Sequence, residues 1–334
     1  MTGKRKMTID TLPQDFLLRH PTLDDLEVVA KLYNACEIAA YGQPEMTLAE
    51  MRTYWMQSGF NLATDAWLVQ TAEGQLVGVA DVDHREHVRI FAGVDVHPDY
   101  RGRGIGTHLL QLVEERARQH VPEAAAGTRV ALLTRANGKD ETTQRFLETR
   151  GYSQVRHFWR MGIELREVPP AAQWSEGIVV RTLAPGMERA VYEADEEAFH
   201  DHWGFMPGTF EDWSHWTFER EGFDPSLWFL AMDGDEIAGF ALCADEKELG
   251  GWVHVLGVRR AWRRRGIGLA LLHHAFAEFY RRGIRAAYLG VDAQSLTGAT
   301  RLYERAGMHV VRQYRSYEKE LRAGRELSTQ SVEV

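Results

Sequence analysis

Residues 94–110 read VDVHPDYRGRGIGTHLL, and residues 256–272 read LGVRRAWRRRGIGLALL. Each is a β-type run, a basic glycine-rich turn and the opening of an amphipathic helix. Glycines at a helix start let main-chain N–H groups approach a ligand, and the unpaired amides of the first turn form an anion site. Flanking arginines add positive charge. Neither copy ends in the GK[ST] of a nucleotide P-loop, and neither has the full dinucleotide spacing with an acidic residue closing the next strand. The expected ligand is a pyrophosphate held mainly by backbone groups. A single such turn more often just caps a helix; two copies in one setting favour the ligand.

Working outward, the whole chain repeats. Arg19 in FLLRHPTLDDLE pairs with Arg181 in IVVRTLAPGMER at an offset of 162, and Arg101 pairs with Arg263 at the same offset. Trp67 and Trp228 open matching hairpins 161 residues apart, and Gly151 and Gly307 close matching helices 156 apart. Each copy reads as an opening strand, acidic helical stretches, a hairpin, a strand, the glycine turn, a long helix, a strand, a second helix and a closing strand. In the long helices Ile105, Leu109, Leu112 and Val113, and Leu269, Leu272, Phe276 and Phe279, mark one buried face. Strand–helix alternation after a hairpin predicts a mixed α/β sheet in each copy. The expected division is a tail 1–14, a first domain 15–166, a linker 167–177 around Pro169-Pro170, a second domain 178–322 and a frayed polar tail 323–334.

Composition bounds the partners. With 39 Lys+Arg against 48 Asp+Glu the net charge is −9, which argues against a general nucleic-acid binder. Two cysteines, Cys36 and Cys243, cannot make a disulfide framework and fit a reducing cytoplasm. The basic start lacks the apolar core of a signal peptide, and no run approaches the roughly 20 apolar residues of a membrane helix. The expectation is a cytoplasmic protein without membrane or nucleic-acid partners.

Arg101-x-x-Gly104-x-Gly106 and Arg263-x-x-Gly266-x-Gly268 resemble the acyl-CoA pyrophosphate loop of the GNAT N-acetyltransferase superfamily, and the element order of residues 15–322 resembles that fold. The tandem arrangement is similar to that of mycothiol synthases. The resemblance implies two tandem GNAT-like α/β domains, each a mixed, largely antiparallel sheet with a splayed central strand pair flanked by helices. It implies acetyl-CoA as co-substrate, with Leu256, Gly257 and Val258 along the pantetheine arm. Arg263, Arg264, Arg265, Gly266, Ile267 and Gly268 would surround the diphosphate. In the first copy the corresponding residues are Val94, Asp95 and Val96, then Arg101, Gly102, Arg103, Gly104, Ile105 and Gly106.

Acyl transfer to an amine needs a base for the amine, a donor for the oxyanion and a proton for the thiolate. A phenol of pKa about 10 stays protonated at neutral pH and can supply that last proton. In the family this role often falls to a Tyr on the last helix, four residues before a Gly. Tyr303 stands so before Gly307, whereas the first copy has Leu147; catalysis is therefore expected in the second domain. For the base, His254 and Glu248 are the candidates. Tandem mycothiol synthases carry a Glu where this chain has Trp252. On the acceptor side, Trp203, Trp213, Trp216, Phe199 and Phe205 are candidate cleft walls. Asp201, Glu211 and Asp212 are candidate amine ligands; a packed acidic helix–loop–helix is the equal alternative. His200 and His202 lack a convincing third ligand, so no metal is expected.

The leading expectation is an N-acetyltransferase acting on a small-molecule or peptide amine by direct attack in a ternary complex. The alternatives are acetylation of a thiol-sugar amine and a non-catalytic acyl-CoA sensor. Fused copies make either a monomer with an internal pseudo-dimer or a homodimer.

Overall fold

A computed structural model describes residues 12–247, 249–295 and 298–330. The first half runs β1 (Phe16–Arg19), α1 (Leu26–Tyr41), α2 (Leu48–Trp55), α3 (Leu62–Asp65), β2 (Ala66–Thr71), β3 (Leu76–Arg85) and β4 (Arg89–Val96). It continues through α4 (Ile105–His120), β5 (Val130–Asn137), α5 (Glu141–Glu148) and β6 (Ser153–Glu164). The second half repeats the plan: β7 (Ile178–Thr182), α6 (Glu188–Phe199), α7 (Phe210–Thr217), β8 (Trp228–Asp233), β9 (Glu236–Asp245) and β10 (Gly251–Val258). Then follow α8 (Ile267–Arg281), β11 (Ala286–Asp292), α9 (Ala299–Arg305) and β12 (His309–Arg322). The expected hairpins and long helices are where the pattern puts them. Residues 165–177 carry no helix or strand, as the two prolines require.

Two compact units form, and they differ from the contiguous division in one respect. Among the described residues, the first holds 12–155 together with 316–327; the second holds 156–315 together with 328–330. Each unit is thus closed by strand residues from the other half of the sequence. In unit 1 the strand order is β1-β2-β3-β4-β5 followed by β12, and in unit 2 it is β7-β8-β9-β10-β11-β6. The expected bounds 15–166 and 178–322 differ from these units in the exchanged segments. The tail also departs from expectation. Arg129 of unit 1 pairs with Glu318, with Glu320 at 2.9 Å and with Glu326 at 3.2 Å, and Arg325 donates its N–H to the Gly127 carbonyl at 2.8 Å. In unit 2 the Thr329 N–H reaches the Phe205 carbonyl at 3.0 Å. Residues 323–330 are pinned by these bonds; 331–334, like 1–11, lie outside the described residues.

In unit 2 the hairpin strands β8 and β9 are buried almost end to end, because helices cover both faces. On one face α8 and α9 bury Leu271, Leu272, Phe276, Phe279 and Tyr303 against Val253, Ala287 and Leu289. On the other, α6 and the α7 region bury Val191, Ala194 and Ala198 against Leu230, Phe240 and Leu242. Unit 1 builds the second kind of face from Val29, Leu32, Met51, Trp55, Leu68 and Val79. Both cysteines are buried free thiols. No described helix is long and apolar enough to cross a membrane.

Candidate active site

Strand β10 positions everything else. Its register against β9 shifts between Val253 and Val255, a bulge at His254. It pairs with the parallel strand β11 only at Gly251↔Ala287 and Trp252↔Tyr288. A bulge adds local twist and turns a strand away from its neighbour. The main chain of residues 253–258 lies open on the β11 side. In unit 1, β4 pairs with β5 from Arg89 to Ala92 and then parts from it, leaving Gly93, Val94, Asp95 and Val96 unpaired on that edge, but β4 runs against β3 without a register shift. The splay is common to both copies; the bulge belongs to the second.

After β10 the chain turns at Arg260–Trp262 and enters α8 through Gly266, whose φ is +80°. Gly104 opens α4 the same way at φ +86°, and neither helix start has a side-chain cap. The first-turn amides of both helices thus remain available to an anion. Ile105 and Ile267 bury their side chains and contribute only backbone. Gly268 is needed for room, since a Cβ there would stand 3.1 Å from Leu302 Cδ2. Gly106 would place a Cβ 3.6 Å from Val96. Gly102 sits at φ +77°, and its counterpart Arg264 adopts φ +65°. A left-handed arginine costs about 1 kcal/mol, so the loop backbone is held the same way in both copies despite the substitution.

The arginines divide their work differently from the expectation that all face the diphosphate. Arg263 donates to the Val258 carbonyl at 3.2 Å, to Asp201 at 2.8 Å and to the Ala198 carbonyl at 3.0 Å. Arg101 likewise donates to Val96 O at 3.4 Å and to Asp140 at 2.9 Å. Both brace the loop against the end of the preceding strand. Arg265 reaches Asp233 at 3.4 Å, and Arg103 folds over the Tyr100 ring at 4.7 Å. Arg264 is exposed and has no partner among the described residues, so it is the loop's available cation.

Tyr303 lies on α9, 8% exposed, in the same apolar cluster as Val253, Ile267 and Leu271. Leu256, Val258 and Leu302 pack on that cluster, so the phenol shares a face of the sheet with the glycine-opened start of α8. Burial pushes its pKa up to about 12. Its hydroxyl has no hydrogen-bond partner among the described residues. The equivalent position on α5 of unit 1 is the buried Leu147.

His254 meets two residues that the sequence did not single out. Its Nε2 lies 2.9 Å from Glu246 Oε1 and 2.7 Å from Arg220 Nη1, and Arg220 also pairs with Glu246. Burial lowers the His254 pKa, Arg220 lowers it further, and Glu246 acts against both. For Glu246, burial pulls upward but His254 and Arg220 prevail and keep the carboxyl below its ordinary range. The imidazole is accordingly neutral at pH 7. Glu248 lies outside the described residues; Glu246, two positions earlier, is the carboxylate seen at the histidine. Trp252 packs under the Arg160 guanidinium at 4.4 Å and beside Tyr288 at 6.1 Å.

Several acceptor-side candidates are already engaged. Asp201 takes Arg260 at 2.5 Å and Arg263 at 2.8 Å, and Asp212 accepts from the Thr209 hydroxyl at the start of α7. These two carboxylates are engaged within the fold, as in the packed acidic alternative. Trp203 donates to Gln330 at 2.9 Å. A cleft of about 340 Å³ beside the loop is lined by Glu196, Glu197, His200, Phe205, Pro207 and Arg260, and by neither Tyr303 nor His254. His200 and His202 pack on Phe205 and Phe199.

Asp195 on α6 went unremarked in the sequence, being one acid among many. Its Oδ2 accepts from Trp213 Nε1 at 2.8 Å, while Oδ1 is buried without a partner. Burial raises its pKa to about 7. A carboxyl raised in the fold binds a proton that the unfolded chain has released, so stability falls as pH rises from about 4 to about 7 and stays reduced above that. Asp195→Asn should therefore stabilise the protein by about 2 kcal/mol at pH 8, half the full shift because the new amide nitrogen inherits the unpartnered Oδ1 position. Thermal melts from pH 4 to 8 check this: the gain must shrink towards pH 4.

In unit 1, Asp95 lies on the unpaired stretch of β4, its carboxyl raised to about 6 by burial and by Asp81. Asp81 in turn accepts from Tyr33 at 2.8 Å and Tyr54 at 2.7 Å.

Comparison with known proteins bears on this geometry. Residues 26–152 and 189–308 each match the model of the Acetyltransferase (GNAT) family. A mycothiol acetyltransferase of Geodermatophilus obscurus is 31% identical over 296 residues, covering 84% of this chain and 89% of its own. The crystal structure of a GCN5-related N-acetyltransferase from Sphaerobacter thermophilus superposes with a TM-score of 0.82 at 42% identity, covering 96% of this chain and all of the other. A tandem GNAT protein from the clavulanic acid biosynthesis pathway shares the fold, with a TM-score of 0.69 at 15% identity, over 92% of this chain and 99% of its own.

Proposed function

The chain belongs to the GNAT acetyltransferase family, and from that premise we propose that unit 2 transfers the acetyl group of acetyl-CoA to the amine of a small molecule. The observation that carries the assignment is Tyr303: a buried phenol with an unengaged hydroxyl, on the same face as the glycine-opened helix and the bulged strand. Unit 1 offers leucine there.

In this reading the amides of Gly266, Ile267 and Gly268, with Arg264, receive the diphosphate. The open backbone of Leu256, Gly257 and Val258 receives the pantetheine arm, and a strand N–H polarises the thioester carbonyl. Neutral His254, its Nε2 held against Glu246 and Arg220, takes a proton from the acceptor's ammonium. The free amine attacks the carbonyl carbon, the adduct nitrogen gives its extra proton to solvent, the C–S bond breaks, and the thiolate takes the proton of Tyr303. Solvent reprotonates the phenolate.

The glycine loop of unit 1 supports a second acyl-CoA site without turnover. The likeness to proteins named mycothiol acetyltransferase supports a thiol-sugar amine as the first compound to try. Trp252 beneath Arg160 supplies an aromatic surface near the base. Free-thiol release from acetyl-CoA with amino sugars, alkylamines and peptides tests the proposal. Turnover should fall at low pH with a midpoint below 6.5, because His254 is depressed, and His254→Gln should abolish that limb. Silence across the panel, with acetyl-CoA still bound by calorimetry, would favour a sensor.

A further inference from the structure

Three imidazoles from separated positions meet at one end of unit 1. His84 stands near the end of β3, His87 in the turn to β4, and His120 on the last turn of α4. One ring nitrogen from each lies within 4.8 Å of the other two. The Nδ1 atoms of His87 and His120 are 2.8 Å apart, and the His84 ring stacks on His87 at 3.9 Å and lies 4.5 Å from His120. His120 is buried, and its Nε2 has no hydrogen-bond partner. The turn bends to reach this arrangement, since Glu86 and His87 both take positive φ.

Hydrogen bonding alone leaves this cluster under-served. One proton shared between His87 and His120 satisfies two nitrogens, and the His87 N–H reaches His84 Nδ1 only at 3.4 Å. Protonating the rings would set like charges against one another. We propose that His84, His87 and His120 bind one divalent first-row transition ion, with solvent in the remaining position. Zn–N bonds of about 2.0–2.1 Å in a tetrahedron separate the donors by about 3.4 Å. The His87–His120 separation of 2.8 Å is below that value and every pair lies within 4.8 Å, so the donors already stand close to ligating range. Burial and the neighbouring rings depress the pKa of His84 and bring that of His120 to about 4, which keeps both in the neutral, ligating form. Asp65 acts on both rings and offsets Arg116, to which it is bonded at 2.6 Å. Bound there, the ion would fasten the β3–β4 turn to the C-terminal end of α4. This site is separate from the residues assigned to acyl transfer.

The test uses the full chain, free of any polyhistidine tag and stripped with chelator, titrated with Zn²⁺ by calorimetry and followed by thermal melting. One ion per chain and a raised melting midpoint are expected. His120→Gln and His87→Gln should each weaken binding about a hundredfold or more and remove the rise in midpoint. His87 is only partly buried, so its variant keeps the test valid if the buried one misfolds. Absence of saturable Zn²⁺ binding, equal binding by the variants, or equal heat with Mg²⁺ would overturn the proposal.

Discussion

Tyr303→Phe should lower kcat about a hundredfold or more while leaving the affinity for acetyl-CoA within about twofold. The ring stays packed between Ile267, Leu271 and Val253, so only the hydroxyl is lost, and that hydroxyl supports no other group among the described residues. With a pKa raised to about 12 the phenol is protonated throughout the working range, and it acts as a proton donor rather than a base. The effect belongs to kcat because the proton is needed as the thiolate departs, not when the thioester binds. Thiol release and calorimetry on the same preparation separate the two. An unchanged kcat would move the proton donor elsewhere and remove the argument for unit 2.

Gly257→Ala should be the most damaging small change in the cofactor strand, costing about 3 kcal/mol of stability. A Cβ there would lie 2.3 Å from Phe240 Cζ, and Phe240 has 0% exposure, so the ring has nowhere to withdraw. The two residues face each other across β9 and β10. In unit 1 the equivalent pair is Asp95 opposite Val79, a larger residue facing a smaller one. Gly290→Ala is the control, because nothing lies within 4 Å of its Cβ position. Denaturant titration of both variants checks the contrast. Equal stabilities would mean that the strand shifts freely, and a freely shifting strand could not hold a thioester in register.

The repeat, the hairpins, the glycine-opened helices and the Tyr303/Leu147 difference were legible in the chain because each is a local pattern or a direct comparison of equivalent positions. The roles of the arginines were not. Arg263 carries the family's pattern, yet its guanidinium is spent on Asp201, 62 positions earlier, and composition cannot reveal such a pairing. Glu246 and Arg220 were missed for the same reason: they meet His254 only after the bulge and the segment following α7 bring them together. The bulge itself was not legible in the sequence, since the near-continuous apolar run WVHVLGV does not show which residue is the extra one. The histidine cluster was hidden because His120 stands 33 residues from His87.

The trading of closing strands ties the fate of the two repeats together. A gene cut at Pro169-Pro170 would encode a first fragment deprived of 316–327 and a second deprived of 156–164, so neither product inherits a finished sheet. Neither copy can be discarded, shuffled into another gene or expressed alone without leaving its sibling's sheet unfinished. A half with leucine in place of the phenol is therefore retained for architecture, whatever becomes of its chemistry.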